Sequence, residues 1–213
     1  MLVHFDDPGL LVSSLRDGRI DAAVRGTMSS NDVLRELKEA FGVNEIMRAA
    51  VLEGLDGKPF LLTPVGIDEG TDFNSRLRLV RQTIRYFTKA GWQLDVGILS
   101  MGRIEDTNRG IEIRDSIQEG ERLAEALVRD GQHAAHYEIL IENALKECNL
   151  IVAPDGVSGN LMFRTLHFVG GRNAYGAPVV NIPKVFVDTS RAKEDFTDSI
   201  MLAAGLHSVQ TED

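Results

Sequence analysis

Residues 149–192 read NLIVAPDGVSGNLMFRTLHFVGGRNAYGAPVVNIPKVFVDTSRA. Residues 149–153 are a short apolar run closed by Pro154, the signature of a strand buried on both faces of an α/β sheet. Asp155-Gly156-Val157-Ser158-Gly159-Asn160 follows, small and polar, and then an apolar segment of helical length. Such a strand–turn–helix junction exposes backbone N–H groups at the positive end of a helix dipole, which favours an anion. Residues 185–187 repeat the grammar: a strand, then Asp188-Thr189-Ser190-Arg191, then an amphipathic tail helix over 195–206. The two turns are expected to wall a single crevice.

The same grammar opens the chain. A helix ending near Leu15 is closed by Asp17-Gly18, and a strand over 20–24 leads into Arg25-Gly26-Thr27-Met28-Ser29-Ser30. Asn31 is the expected N-cap of a helix that carries Val33, Leu37 and Phe41 on one face and ends at Gly42. The middle of the chain differs. Segments 45–52 and 59–64 flank Asp56-Gly57, a hairpin signal. A Gly- and Asp-rich loop over 65–73 precedes a helix over 74–90 with an apolar stripe of Leu77, Val80, Ile84 and Phe87. A strand over 95–99, a charged helix over 109–127 closed by Gly131 and a helix over 135–147 complete the order.

Strands alternating with helices, interrupted by one hairpin, give an α/β fold: a mostly parallel sheet with helices on both faces. Two lobes with a cleft are expected, residues 1–54 with 149–213 forming one and 55–148 the other. The length of 213 residues allows a sizeable core. A formal charge of −9 argues against a nucleic-acid surface. Without an apolar run of spanning length or a signal-peptide pattern, and with Cys148 alone, a cytoplasmic protein is expected. His133 and His136 sit three apart at the expected start of a helix, but no third ligand completes a shell, so no metal site is assigned. No G-x-G-x-x-G supports a nucleotide-fold methyltransferase, since Gly110, Gly120 and Gly131 are too widely spaced.

Pro154-Asp155-x-x-Ser158-Gly159-Asn160, Gly170-Gly171, Gly176-Ala177-Pro178 and Asp188-Thr189-Ser190-Arg191 resemble the phosphate acetyl/butyryltransferase superfamily, of isocitrate/isopropylmalate-dehydrogenase-like fold. Within it, Val24-Arg25-Gly26-Thr27-Met28-Ser29-Ser30 and Ala153–Asn160 look most like the MtxX group, also called methanogenesis marker protein 4 and named as methyltransferase-related. The resemblance implies a methyltransferase-related protein of methanogen-type metabolism, with a phosphate- or coenzyme-bearing ligand in the interlobe cleft. The alternative it implies is an acyltransferase between coenzyme A and phosphate. Ser190, Arg191 and Asp195 would then be catalytic, with Ser190 on a developing oxyanion, Arg191 on phosphate and Asp195 as base. Arg25, Gly26, Ser29, Asp155, Ser158, Gly159 and Asn160 would bind the cofactor, either coenzyme A or another phosphorylated molecule. A homodimer and a methyltransferase partner subunit are further implied. The sequence departs from the superfamily at Ala192, where glycine is usual, and is expected to lack most of its N-terminal region.

Overall fold

The computed structural model describes residues 1–210. Its first half comprises α1 (Pro8–Arg16), β1 (Ala22–Val24), α2 (Ser30–Phe41), β2 (Ala50–Glu53), β3 (Pro59–Thr63), α3 (Phe73–Lys89) and β4 (Asp95–Ile98). Then follow α4 (Ile111–Arg129), β5 (His133–His136), α5 (Ile141–Glu147), β6 (Leu150–Val152), α6 (Gly156–Arg164), β7 (Ala174–Pro178), β8 (Val185–Asp188) and α7 (Thr197–Gln210). All strands join one sheet in the order β1-β8-β7-β2-β3-β6-β4-β5. The pair β1–β8 and the run β3-β6-β4-β5 are parallel, and the central β8-β7-β2-β3 is antiparallel. The expected α/β fold is therefore present. The expected division at 54 and 149 falls across a continuous sheet, in which β6 lies between β3 and β4 and β8 lies beside β1.

Strand alternation assigns the helices to faces. Val51, Leu61, Val96, Ile98, Leu150 and Val152 pack with Leu79, Phe87, Leu123, Leu127 and Leu206 on one face, beneath α3, α4 and α7. Their neighbours Ala50, Leu52, Leu62 and Ile151 pack on the other face with Ala144, beneath α5 and α6. On that side at the β1–β8 edge, Ala23 and Phe186 meet Leu11, Leu15, Val33 and Leu37 of α1 and α2. Cap chemistry fixes the helix starts. Asp7 accepts from the Leu10 amide at 2.6 Å ahead of Pro8, and Asp72 and Ser75 form a reciprocal capping box for α3. No helix among the described residues is long and apolar enough to cross a membrane.

Three local expectations are corrected, and one strand was not anticipated. His133 and His136 lie on β5, paired with Asp95 and Ile98 of β4, and the following helix begins only at Ile141. The parallel register offered by β4 overrides the helical pattern there. Ser29, two residues ahead of Asn31, occupies the N-cap of α2. The last helix starts at Thr197, so Asp195 precedes it. Strand β7 was not legible as a strand: it contains Gly176 at φ 133°, where a Cβ would fall 2.3 Å from Val187 Cγ1. Glycine lets β7 approach β8 that closely.

Candidate functional site

A cavity of about 180 Å³ opens where β1, β8, β7 and β2 meet, beneath the start of α2 and beside α6. Two strand ends build its floor. The Arg25 amide donates to Val187 O at 3.0 Å and continues the β1–β8 ladder, and Thr189 Oγ1 donates to Gly26 O at 3.1 Å, tying the two following turns together.

Behind that floor runs a buried chain of four ions. Arg25 donates from Nε to Asp188 and from Nη2 to Thr189 O. Arg48 donates from Nη1 to the other Asp188 oxygen at 2.6 Å and from Nε to Glu69 at 2.6 Å. Glu69 Oε2 also accepts from the Val65 and Gly66 amides at 3.2 and 3.0 Å. Burial acts to lower the Arg48 pKa, but Glu69 and Asp188 outweigh it and hold the guanidinium charged, above its ordinary value. The chain is neutral as a whole, and each carboxylate accepts three hydrogen bonds.

Two further cations line the cavity without an ion-pair partner within 4.0 Å among the described residues: Arg164, stacked over Phe168 at 5.2 Å, and Lys193. Lys193 Nζ donates to Ala174 O at 2.6 Å and to Ser199 Oγ at 3.3 Å. Its partial burial lowers its pKa, opposed by Asp198 and Asp195. The first turn of α2 contributes Ser30 to the lining, and Ser29 makes no side-chain capping bond, leaving the amides of that turn to solvent or a ligand. His167 lies on the π-helical turn Thr165–Val169, with Nδ1 2.8 Å from Arg172 O. Four cationic side chains and one carboxylate therefore line the cavity, in a chain whose net charge is −9.

Of the residues singled out from sequence, the structure brings Arg25, Asn160 and Ser190 together in this lining. Gly26 and Ser29 flank it. Asp155 is the N-cap of α6: its carboxylate accepts the Ser158 amide at 2.7 Å and the Ser158 hydroxyl at 3.0 Å. An aspartate thus occupies the position pictured for a phosphate. Gly156 and Gly159 pack on the β3 loop, where a Cβ would lie 1.9 Å from Gly66 O and Pro64 O respectively. Asn160 Nδ2 donates to Val65 O at 2.8 Å. Arg191 is exposed and outside the lining. Asp195 is also exposed; its carboxylate accepts the Thr197 amide at 2.8 Å, and bonding to Thr197 holds its pKa low.

Arg48, Glu69, Arg164, His167, Lys193 and Ser199 were not singled out from sequence. Arg48 carried a usable signal, since a charged residue inside the apolar run 46–52 must find a buried partner. The others depend on long-range pairing, which local pattern does not report. Among the described residues no group of three His, Cys, Asp or Glu side chains is placed to share a metal ion.

No family model matches the sequence. Several curated relatives do, two of which follow. The protein named "Putative methyltransferase mtx subunit X" of Methanosarcina barkeri is 44% identical over 212 residues, covering 99% of this chain and 78% of the relative. The protein of that name from Methanosarcina mazei is 42% identical over 212 residues, covering 99% of this chain and 76% of the relative. Among solved structures, a branched-chain phosphotransacylase from Enterococcus faecalis superposes with a TM-score of 0.71 at 20% identity, covering 98% of this chain and 82% of that one. A phosphotransacetylase from Streptococcus pyogenes gives 0.70 at 17% identity, covering 97% of this chain and 68% of that one. At those identities the likeness concerns the fold alone. The chain belongs to the family of the Methanosarcina proteins named "Putative methyltransferase mtx subunit X", built on a phosphotransacetylase-like fold.

Proposed function

We propose that this protein is a methyltransferase-related component of methanogen-type metabolism that binds a phosphate- or coenzyme-bearing ligand in the cavity at the β1–β8–β7–β2 junction. The observation that carries this is the lining's charge: among the described residues Arg164 and Lys193 have no ion-pair partner within 4.0 Å, and they share the lining with the first turn of α2, whose N-cap Ser29 makes no side-chain capping bond. A helix N-terminus and charge-assisted donors around one small cavity favour an anion. The relatives' printed name, a methyltransferase subunit, supports a partner subunit as well. Exposed Val157 and Leu161, one turn apart on α6, support an assembly surface for that partner or for a second copy.

The test is a melting-temperature screen with coenzyme A, acetyl phosphate, inorganic phosphate and uncharged analogues. Phosphorylated ligands are expected to raise the melting temperature of the wild type by mass action, and less so that of Lys193→Met and Arg164→Ala. Equal shifts in all three proteins would remove the cavity from the account.

Ser190 in the lining favours a second reading, acyl transfer between coenzyme A and phosphate. In that case the wild type should turn over acetyl phosphate and coenzyme A, and Ser190→Ala should lose about 10²-fold, the usual loss for one oxyanion donor. Absence of wild-type turnover would discard it.

A further inference from the structure

The outer face of α3 holds chemistry that the cavity does not use. From Phe73 to Lys89 the helix carries Arg76, Arg78, Arg81, Arg85 and Lys89 and no aspartate or glutamate. That is an exception in a chain with 32 acidic residues against 23 lysines and arginines. Its neighbour α4 interleaves the two signs, and Glu125 reaches Arg129 one turn on at 3.6 Å. Residues four apart on a helix stand in one row, and Phe73, Leu77, Arg81, Arg85 and Lys89 form such a row on α3. Its first two members are apolar and partly buried, and its last three are exposed cations. At about 1.5 Å per residue the row runs for about 24 Å.

A cavity of about 320 Å³ opens between the first half of this row and α4. Phe73, Leu77 and the buried Ala126 line it, with Arg81, Arg122 and Arg129 around them. Arg122 lies over the Phe73 ring, 4.4 Å from its centre, and Arg81 is held by Asp130 at 2.6 Å. Arg85 and Lys89 have no ion-pair partner within 4.0 Å among the described residues. Solvated surface cations are common and need no partner. Arg81, Arg85 and Lys89, however, stand four residues apart, where like charges repel, and they lead into an apolar notch.

Charge order along the row selects what fits it. A second copy facing the same row across a two-fold axis would set cation against cation. A nucleic acid would run past the row onto the surface of a chain whose net charge is −9. An amphipathic helix with carboxylates three or four residues apart has the pitch of Arg81, Arg85 and Lys89, and an apolar side chain at its end would fill the notch. We propose that the α3–α4 groove docks an acidic amphipathic helix of a partner protein. Its carboxylates pair with Arg85 and Lys89, and its apolar end packs on Phe73 and Leu77. This rests on the partner subunit proposed above and is independent of a ligand in the cavity at the β1–β8–β7–β2 junction. The groove lies on the sheet face opposite α6, so the surface around Val157 and Leu161 stays free.

The test uses a capped, fluorescein-labelled alanine peptide of about sixteen residues, long enough to hold a helix. It carries glutamate at every third or fourth position and a leucine at its apolar end. Fluorescence anisotropy on the wild type at physiological salt should show saturable binding, weaker by at least about tenfold when glutamine replaces the glutamates. Arg85→Glu combined with Lys89→Glu should lose at least about tenfold in affinity. Lys58→Glu combined with Lys146→Glu, at exposed lysines off this row, should stay within about twofold. Alanine in place of the peptide leucine should weaken binding to the wild type about fivefold and change it little on Leu77→Ala, as contacting groups do. No binding by the wild type, equal losses in the two double variants, or tighter binding of a single-stranded oligothymidylate than of the peptide would each overturn the docking site. The surface double variants decide the matter by themselves if Leu77→Ala does not fold. Acetyl phosphate should raise the melting temperature of Arg85→Glu with Lys89→Glu as much as that of the wild type, which keeps a failure here distinct from a failure of the anion site.

Discussion

Asp188→Asn probes the ion chain beneath the cavity with almost no change of shape. Asp188 is 6% exposed and accepts from Arg25 Nε, Arg48 Nη1 and its neighbouring amide. Neutralising it leaves two buried guanidiniums with one carboxylate, Glu69, which is ion-paired with Arg48. Removing one partner of a buried ion pair costs about 3–5 kcal/mol, most of it from the charge left behind. Total stability of about 5–15 kcal/mol makes that a large fraction. With a urea m-value of about 3 kcal/mol/M, the unfolding midpoint should fall by about 1 M or more. Adding Arg25→Met should restore part of the loss, since the stranded cation is then gone; the expected coupling is about 0.5–3 kcal/mol. Urea denaturation of the four proteins of this cycle measures both quantities. A loss below about 1 kcal/mol in Asp188→Asn would refute the ion chain as described. So would strict additivity with Arg25→Met.

Two further outcomes follow from packing and titration. Gly159→Ala should destabilise by about 1–3 kcal/mol or more, because its Cβ would fall 1.9 Å from the Pro64 carbonyl and α6 would have to move off β3; a wild-type urea midpoint would contradict that close approach. His136, half-buried with Nε2 2.9 Å from Ser100 Oγ, has its pKa lowered chiefly by burial, against Glu121 and Glu138. Its folded pKa thus lies below the unfolded value of about 6.5, so the unfolded chain takes up the proton first as pH falls, and stability present at neutral pH is lost below about 6.5. Denaturation midpoints at about pH 7.5 and about pH 5.5, bracketing that value, should differ less in His136→Gln than in wild type; an unchanged difference would sink this assignment.

The fold was legible where periodicity and punctuation agree. Leu77, Val80, Ile84 and Phe87 marked α3 at helical spacing, and the structure places it at Phe73–Lys89. The apolar run before Pro154 marked β6, buried between β3 and β4. Signals failed where tertiary pairing outweighs local preference. His133-Ala134-Ala135-His136 has no strong strand character, yet it completes the parallel edge beside β4. In β7, Gly176 hides the strand because its role is to admit Val187 of β8.

The site was half legible for a related reason. Arg25 and Ser190 lie at strand ends, where the β-strand–turn–helix grammar points, and both reach the cavity. Asp155 shows the limit of that grammar, because its own carboxylate caps the α6 amide that the pattern offers to an anion. Arg48, Glu69 and Lys193 acquire meaning only when β2, the 65–72 loop and the segment before α7 converge. No local spacing encodes that convergence.

A crystal structure of the protein with acetyl phosphate tests the central claim most directly. The account predicts the phosphoryl group in the cavity, within hydrogen-bond distance of the first α2 amides and of Lys193 or Arg164. Phosphate seated elsewhere, at the Asp155–Ser158 turn or on the exposed Arg191 with the cavity left empty, would contradict it.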